Sequence, residues 1–99
     1  MITATVSFTV VPGKNSEAVE YLRKVVQHIK RTAGTDLQLV TQLGGPAGHY
    51  VVVGTYASLN AWDEARTKAT ADPTLQKMQA EHGHLFIPGS INSGIFQTV

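Results

Sequence analysis

Eight Lys and Arg and seven Asp and Glu are spread along 99 residues, yet none falls within 2–11, 37–43, 49–56 or 90–99. Those four stretches are also the ones that carry a strand signal. Residues 2–11 alternate strictly, Ile2, Ala4, Val6, Phe8 and Val10 against Thr3, Thr5, Ser7 and Thr9. A period of two separates two faces only in an extended chain. "DLQLVTQL" (36–43) alternates again, with Leu37, Leu39 and Leu43 on one side. "HYVVVGTY" (49–56) has the Val-rich centre of a strand buried on both faces. "SINSGIFQTV" (90–99) reads as a last strand, weakened by Gly94. A sheet face in water normally carries Lys or Glu, and long uncharged edges are templates for unwanted pairing. The missing charges therefore predict a homodimer in which two sheets face each other. The facing surface is expected to hold Thr3, Thr5, Ser7, Thr9, Gln38, Gln42 and aromatic residues from other strands. Because these are small and neutral rather than Leu or Ile, the facing sheets are expected to enclose a partly polar cavity.

The segments between the strands have helical period. After the turn "VPGKNS", Asn15 or Ser16 is placed to cap a helix whose Ala18, Leu22, Val25, Val26 and Ile29 form one apolar stripe. Lys30 and Arg31 suit the negative end of its dipole, and Gly34 suits a left-handed terminus. "GGPAG" (44–48) is a connection, which makes the strands on either side a hairpin. Ser58 caps a second helix with Leu59, Trp62, Ala65 and Ala69 on one side. At Asp72-Pro73 a cap is followed by a proline in the first turn, so the helix restarts there. Leu75, Met78 and His82 then share a face until Gly83. The order β-α-β-β-α-β over a single domain, 1–99, predicts an α+β, ferredoxin-like sandwich: a four-stranded antiparallel sheet with its helices on one face.

Composition narrows the partners. Net charge is +1 and the basic residues are scattered, so no nucleic-acid footprint is present. Absence of cysteine removes disulfides and thiol chemistry and fits a reducing compartment. "MITATVSFTV" reads as a strand rather than a signal peptide, and no apolar run approaches the roughly 20 residues of a bilayer span. The expectation is a cytoplasmic protein with no membrane or nucleic-acid partner.

Candidate chemistry is sparse. "AEHGHLFIPG" (80–89) holds His82 and His84, but zinc needs third and fourth ligands. Glu81 and His49 are the obvious donors, nothing sets their distance, and Gly83 keeps the pair off a regular element; no metal site is expected. His82, aimed inward beside Leu75 and Met78, is either a hydrogen-bonded structural histidine or a general base of near-neutral pKa. Trp62 packs in the core or walls a cavity. Tyr50 and Tyr56 share a strand face with Gly54, which either leaves room for a ligand or marks a bulge. "GGPAG" lacks the Lys and following helix of a phosphate loop. No Ser-His-Asp or paired-carboxylate arrangement emerges.

The whole element order, together with "GGPAGHYVVVGTYASLNAWDEA" and "ATADPTLQKM", resembles the dimeric α/β-barrel superfamily. That superfamily includes antibiotic-biosynthesis-type monooxygenases, NIPSNAP-like domains and stress-responsive barrel proteins. NIPSNAP-like barrels often place an aromatic residue two positions after the Asp-Pro break, where this chain has Leu75. "GHY" at 48–50 is similar to muconolactone isomerase. The resemblance implies strong dimers, cavity-bound small organic ligands and, in some members, oxygenation of electron-rich aromatics without metal or flavin. The Asn, Trp and His set of haem-degrading relatives is not matched, since position 7 is Ser and Met78 stands near the expected haem ligand. The expected activity is binding of an aromatic or apolar ligand without a cofactor, the alternative being a cofactor-independent monooxygenase or an isomerase. In the enzymatic case His82 takes a proton from a phenol or enol. Tyr50, Tyr56, Trp62 and Phe96 wall the ligand, and Thr5 and Ser7 orient its oxygen atoms.

Overall fold

A computed structural model describes residues 1–45 and 47–99; Pro46, within the "GGPAG" connection, lies outside the described residues. The elements are β1 (Ile2–Thr9), α1 (Asn15–Ala33), β2 (Leu37–Thr41), β3 (His49–Tyr56), α2 (Leu59–Ala71), α3 (Pro73–His82) and β4 (Asn92–Gln97). A single 3-10 turn, Gly83–Leu85, follows α3. The sheet order is β2-β3-β1-β4 and every neighbouring pair is antiparallel. This is the ferredoxin-like α+β arrangement, with β2 and β3 paired as the predicted hairpin.

Register assigns the faces, because directly opposed residues of an antiparallel pair point the same way. Ala4 opposes Gly54, Val6 opposes Val52 and Phe8 opposes Tyr50, while Leu37 and Leu39 oppose Gly54 and Val52. These residues form the inner face, against the helices. Thr3, Thr5, Ser7 and Thr9 share the open face with His49, Val51, Val53 and Thr55 of β3 and with Asn92, Gly94 and Phe96 of β4. The Val-rich strand thus turns Tyr50, Val52, Gly54 and Tyr56 inward, a choice its sequence left open.

Local signals explain the helix ends. Gly34 closes α1 at φ 72°, its N–H bonding the Lys30 carbonyl, a conformation that costs an L side chain about 1–2 kcal/mol. Ser58 Oγ accepts from Ala61 N–H, and the Asp72 carboxylate accepts from the N–H groups of Thr74 and Leu75 ahead of Pro73. At the start of α1 the expectation is corrected. Lys14 occupies the cap position without a side-chain bond, and Asn15 instead accepts from the Tyr50 hydroxyl at 3.3 Å.

The densest core lies at one end of the sandwich, where Val10, Ala18, Tyr21, Leu22, Leu85 and Phe86 are buried together. Leu22 and Leu85 are the largest fully enclosed side chains, each contributing roughly 1.5–3 kcal/mol by burial. The 3-10 turn after α3 carries no periodic signal that would announce it. It brings Leu85 inward, and Phe86 pairs with Val10 in an isolated bridge. Two apolar expectations are corrected. Leu43 lies past the end of β2 and is 96% exposed, and Leu59, in the first turn of α2, faces solvent. Replacing Leu22 with Ala is expected to cost about 2–5 kcal/mol in urea unfolding. Leu43→Ala is expected to change stability by no more than about 0.5 kcal/mol. Equal losses at the two leucines contradict this core.

Candidate functional site

The inner sheet face and the helices are not packed together along their whole length. Small residues meet across the gap: Ala4 and Gly54, opposed in register, face Ala65 and Ala69, one turn apart on α2. Together they line a cavity of about 160 Å³ that also reaches Tyr56, Trp62 and Arg66. A larger cavity of about 440 Å³ continues toward Phe8, Tyr21, Val25, Leu75 and Phe86. The two share Val6, Ile29, Leu37, Val52 and Ala69, so they form one apolar cleft. Gly54 marks neither a bulge nor free space above its own Cα. It pairs in regular register, and a Cβ there would lie 2.6 Å from Leu37 Cδ2 and 3.0 Å from the Tyr56 hydroxyl.

The two ends of the cleft differ chemically. At one, the Arg66 guanidinium lies 5.2 Å from the Trp62 ring centroid and donates to Asp63 Oδ1 at 2.7 Å. Burial raises the Tyr56 phenol above its ordinary value of 10.0, so at neutral pH it is an uncharged donor. At the other end Tyr21 packs on Phe86, whose ring lies 5.1 Å from that of Phe8. Burial raises the Tyr21 phenol as well. His82 lines neither part of the cleft; it stacks on Tyr21 with centroids 4.5 Å apart, and its Nδ1 donates to the Met78 carbonyl at 2.8 Å. A carbonyl oxygen has no proton to give, so in neutral His82 the ring proton sits on Nδ1 and Nε2 keeps its lone pair.

The residues expected to surround one ligand fall on two sides of the sheet. Tyr56 and Trp62 line the cleft. Tyr50 points to the same side but faces a shallow groove beside Asn15, Val19 and Arg23. Thr5, Ser7 and Phe96 are on the open face, where Ser7 Oγ donates to the Asn92 carbonyl and Phe96 is 58% exposed. Gly94 does not break β4. A Cβ there would lie 3.0 Å from both the Phe96 ring and Thr5 Oγ1, so its absence lets Phe96 fold down beside Thr5. His49, a suggested zinc donor, is also on the open face, 3.3 Å from Thr9 Oγ1, away from His82 and the exposed His84. Among the described residues, no three potential metal ligands converge.

One pair carries no signature in the sequence. His28 Nε2 donates to Asp72 Oδ2 at 2.6 Å, with side chains only 12% and 15% exposed, tying the middle of α1 to the junction of α2 and α3. The Asp-Pro cap singled out Asp72, but nothing in the spacing pointed to His28, 44 residues away.

The sheet order and one-sided helical layer define the class, and solved structures share it along the full chain. An uncharacterized NIPSNAP domain protein from Burkholderia xenovorans superposes with TM-score 0.84 at 17% identity, covering 100% of this chain and 95% of that one. A NIPSNAP family protein from Agrobacterium tumefaciens str. C58 gives 0.80 at 22% identity, covering 99% and 92%. A structure described as antibiotic biosynthesis monooxygenase gives 0.75 at 13% identity, covering 100% and 99%. The NIPSNAP family model matches residues 4–95, and the chain belongs to the NIPSNAP family. No curated protein matches it.

The His28 hydrogen bond is the main cause holding the Asp72 carboxyl below its ordinary value of 3.8, aided by the backbone N–H groups of Leu75 and Thr74 and opposed by desolvation. A depressed carboxylate pKa adds stability above the unfolded-state value and loses it as pH falls through the folded-state one. Acid unfolding of the wild type is therefore expected to show a loss below about pH 4 that Asp72→Asn reduces. In a double-mutant cycle, His28→Ala and Asp72→Ala should together cost less than the sum of the single changes. Strict additivity shows that the pair contributes nothing.

Proposed function

We propose that this protein is a homodimeric binding domain whose inner cleft takes a small apolar or aromatic organic ligand. The observation that carries the reading is the continuous apolar cleft, about 440 Å³ beside Phe8, Tyr21 and Phe86 and about 160 Å³ more between Ala4, Ala65 and Ala69. Protein interiors are normally filled to crystal-like density, and unfilled apolar volume is destabilising. Here the gap lies in a cleft with aromatic side chains at both ends, the ordinary make-up of a small-molecule site. The dimer is supported by the open face, where Val40 and Phe96 are exposed and no Lys, Arg, Asp or Glu stands on any strand. Absence of cysteine supports a reducing, cytoplasmic setting.

A cofactor-independent monooxygenase is the second reading, with isomerisation of an enol a variant of it. It is favoured by the tautomer of His82, whose free Nε2 is suited to taking a proton from a phenol or enol, and by the likeness to a structure described as antibiotic biosynthesis monooxygenase.

Three measurements test these readings. A neutral naphthalene fluorophore such as Prodan is expected to bind once per chain, and Ala69→Leu, which fills the waist of the cleft, should weaken it by about tenfold or more. Unchanged binding by Ala69→Leu refutes the cleft as the site. Light scattering should give twice the 10.6 kDa chain mass at micromolar concentration, falling to one chain in Thr5→Lys because an unpaired charge is costly to bury. A 10.6 kDa wild type refutes the dimer. If the second reading holds, His82→Ala should lower oxygen-dependent turnover of a naphthol by about a hundredfold while Prodan binding persists. Full turnover removes His82 from any such role.

A further inference from the structure

Given the cleft as a binding site, on which this ligand assignment rests, its length and its single charge narrow what it can hold. From Phe8, opposed to Tyr50, to Tyr56, the inner face advances six residues along β3, about 20 Å at the rise of a strand. The continuous lining along that path is aliphatic, Val6, Ile29, Leu37 and Val52, with Ala69 at the waist. A compact fused-ring ligand fills one part of such a cleft, whereas a linear chain uses both. Among the described residues that line either part, Arg66 alone is formally charged. Asp63 engages one of its nitrogens, but a guanidinium carries five N–H donors and an exposed ion pair within one helical turn is weak. Tyr56 lines the same part of the cleft, and its hydroxyl is able to donate. We infer that the cleft takes an extended aliphatic carboxylate, its chain lying along the sheet and its head at Arg66 and Tyr56.

Calorimetric titration of the full chain with dodecanoate, dodecanol and dodecylamine, each below its micellar concentration, tests this. Dodecanoate is expected to bind about tenfold more tightly than dodecanol, as a charge-assisted hydrogen bond adds to the shared burial of the chain. Dodecylamine should bind most weakly. Arg66→Gln, a change at the surface of α2, should erase the difference between acid and alcohol. Equal affinity for acid and alcohol in the wild type, or a preference that survives Arg66→Gln, overturns the headgroup assignment and leaves the binding reading standing. Prodan binding without binding of any dodecyl compound overturns the linear ligand. Failure of Prodan and all three dodecyl compounds refutes the cleft as a ligand site altogether.

Discussion

Strand β1 is hydrogen-bonded along both edges, to β3 on one side and β4 on the other, and the rest of the molecule takes its orientation from it. A side-chain period of two is rigid: a slip of one residue would send every apolar side chain to the opposite face. With Ile2, Ala4, Val6 and Phe8 turned inward, the opposed residues of β3 and β4 have no choice of side. The helices then cover one face only. Both properties of functional interest result, an apolar cleft beneath the helices and a neutral polar surface on the other side.

At the end near Val10, large side chains from α1 and the 3-10 turn meet and close the core. The wider part of the cleft opens beside those same side chains, against Phe8, Tyr21 and Phe86, and a narrower gap continues toward α2 between Ala4, Ala65 and Ala69. Trp62 and Tyr56 bring aromatic bulk to the margin of that gap without filling it, and Arg66 over Trp62 sets a positive charge at its rim. His82 lies outside the lining of either part. Its ring lies flat on Tyr21 and its Nδ1 is committed to the preceding turn of its own helix, which orients the imidazole tightly whatever use is made of Nε2.

The junction of α2 and α3 shows how one residue serves several elements. Asp72 caps α3 through one carboxylate oxygen and receives His28 of α1 through the other. The break at Asp72-Pro73 is thereby anchored to the helix lying across it, and Leu75, three residues on, is held against the cleft wall. An exposed cap would be a local matter; this one joins three helices.

Sequence alone determined the elements and their order, the layer architecture, the Ser58 and Asp72 caps, the Gly34 terminus and the uncharged open face. Each of these is set by neighbours a few residues away or by a repeating period. Candidate site residues were legible only in part: Trp62 and Tyr56 were singled out and do line the cleft, whereas Thr5, Ser7 and Phe96 stand across the sheet from them. Within "HYVVVGTY" three consecutive valines hide the face, and only pairing with Ala4, Val6 and Phe8 decides it. Ala65 and Ala69 come to line the narrow part of the cleft only when α2 docks, and Arg66 gains its position from the same docking. His28 meets Asp72 for the same reason. These features depend on contacts between residues far apart in the chain, which periodicity and capping chemistry do not encode; they exist only once the helices have packed on the sheet.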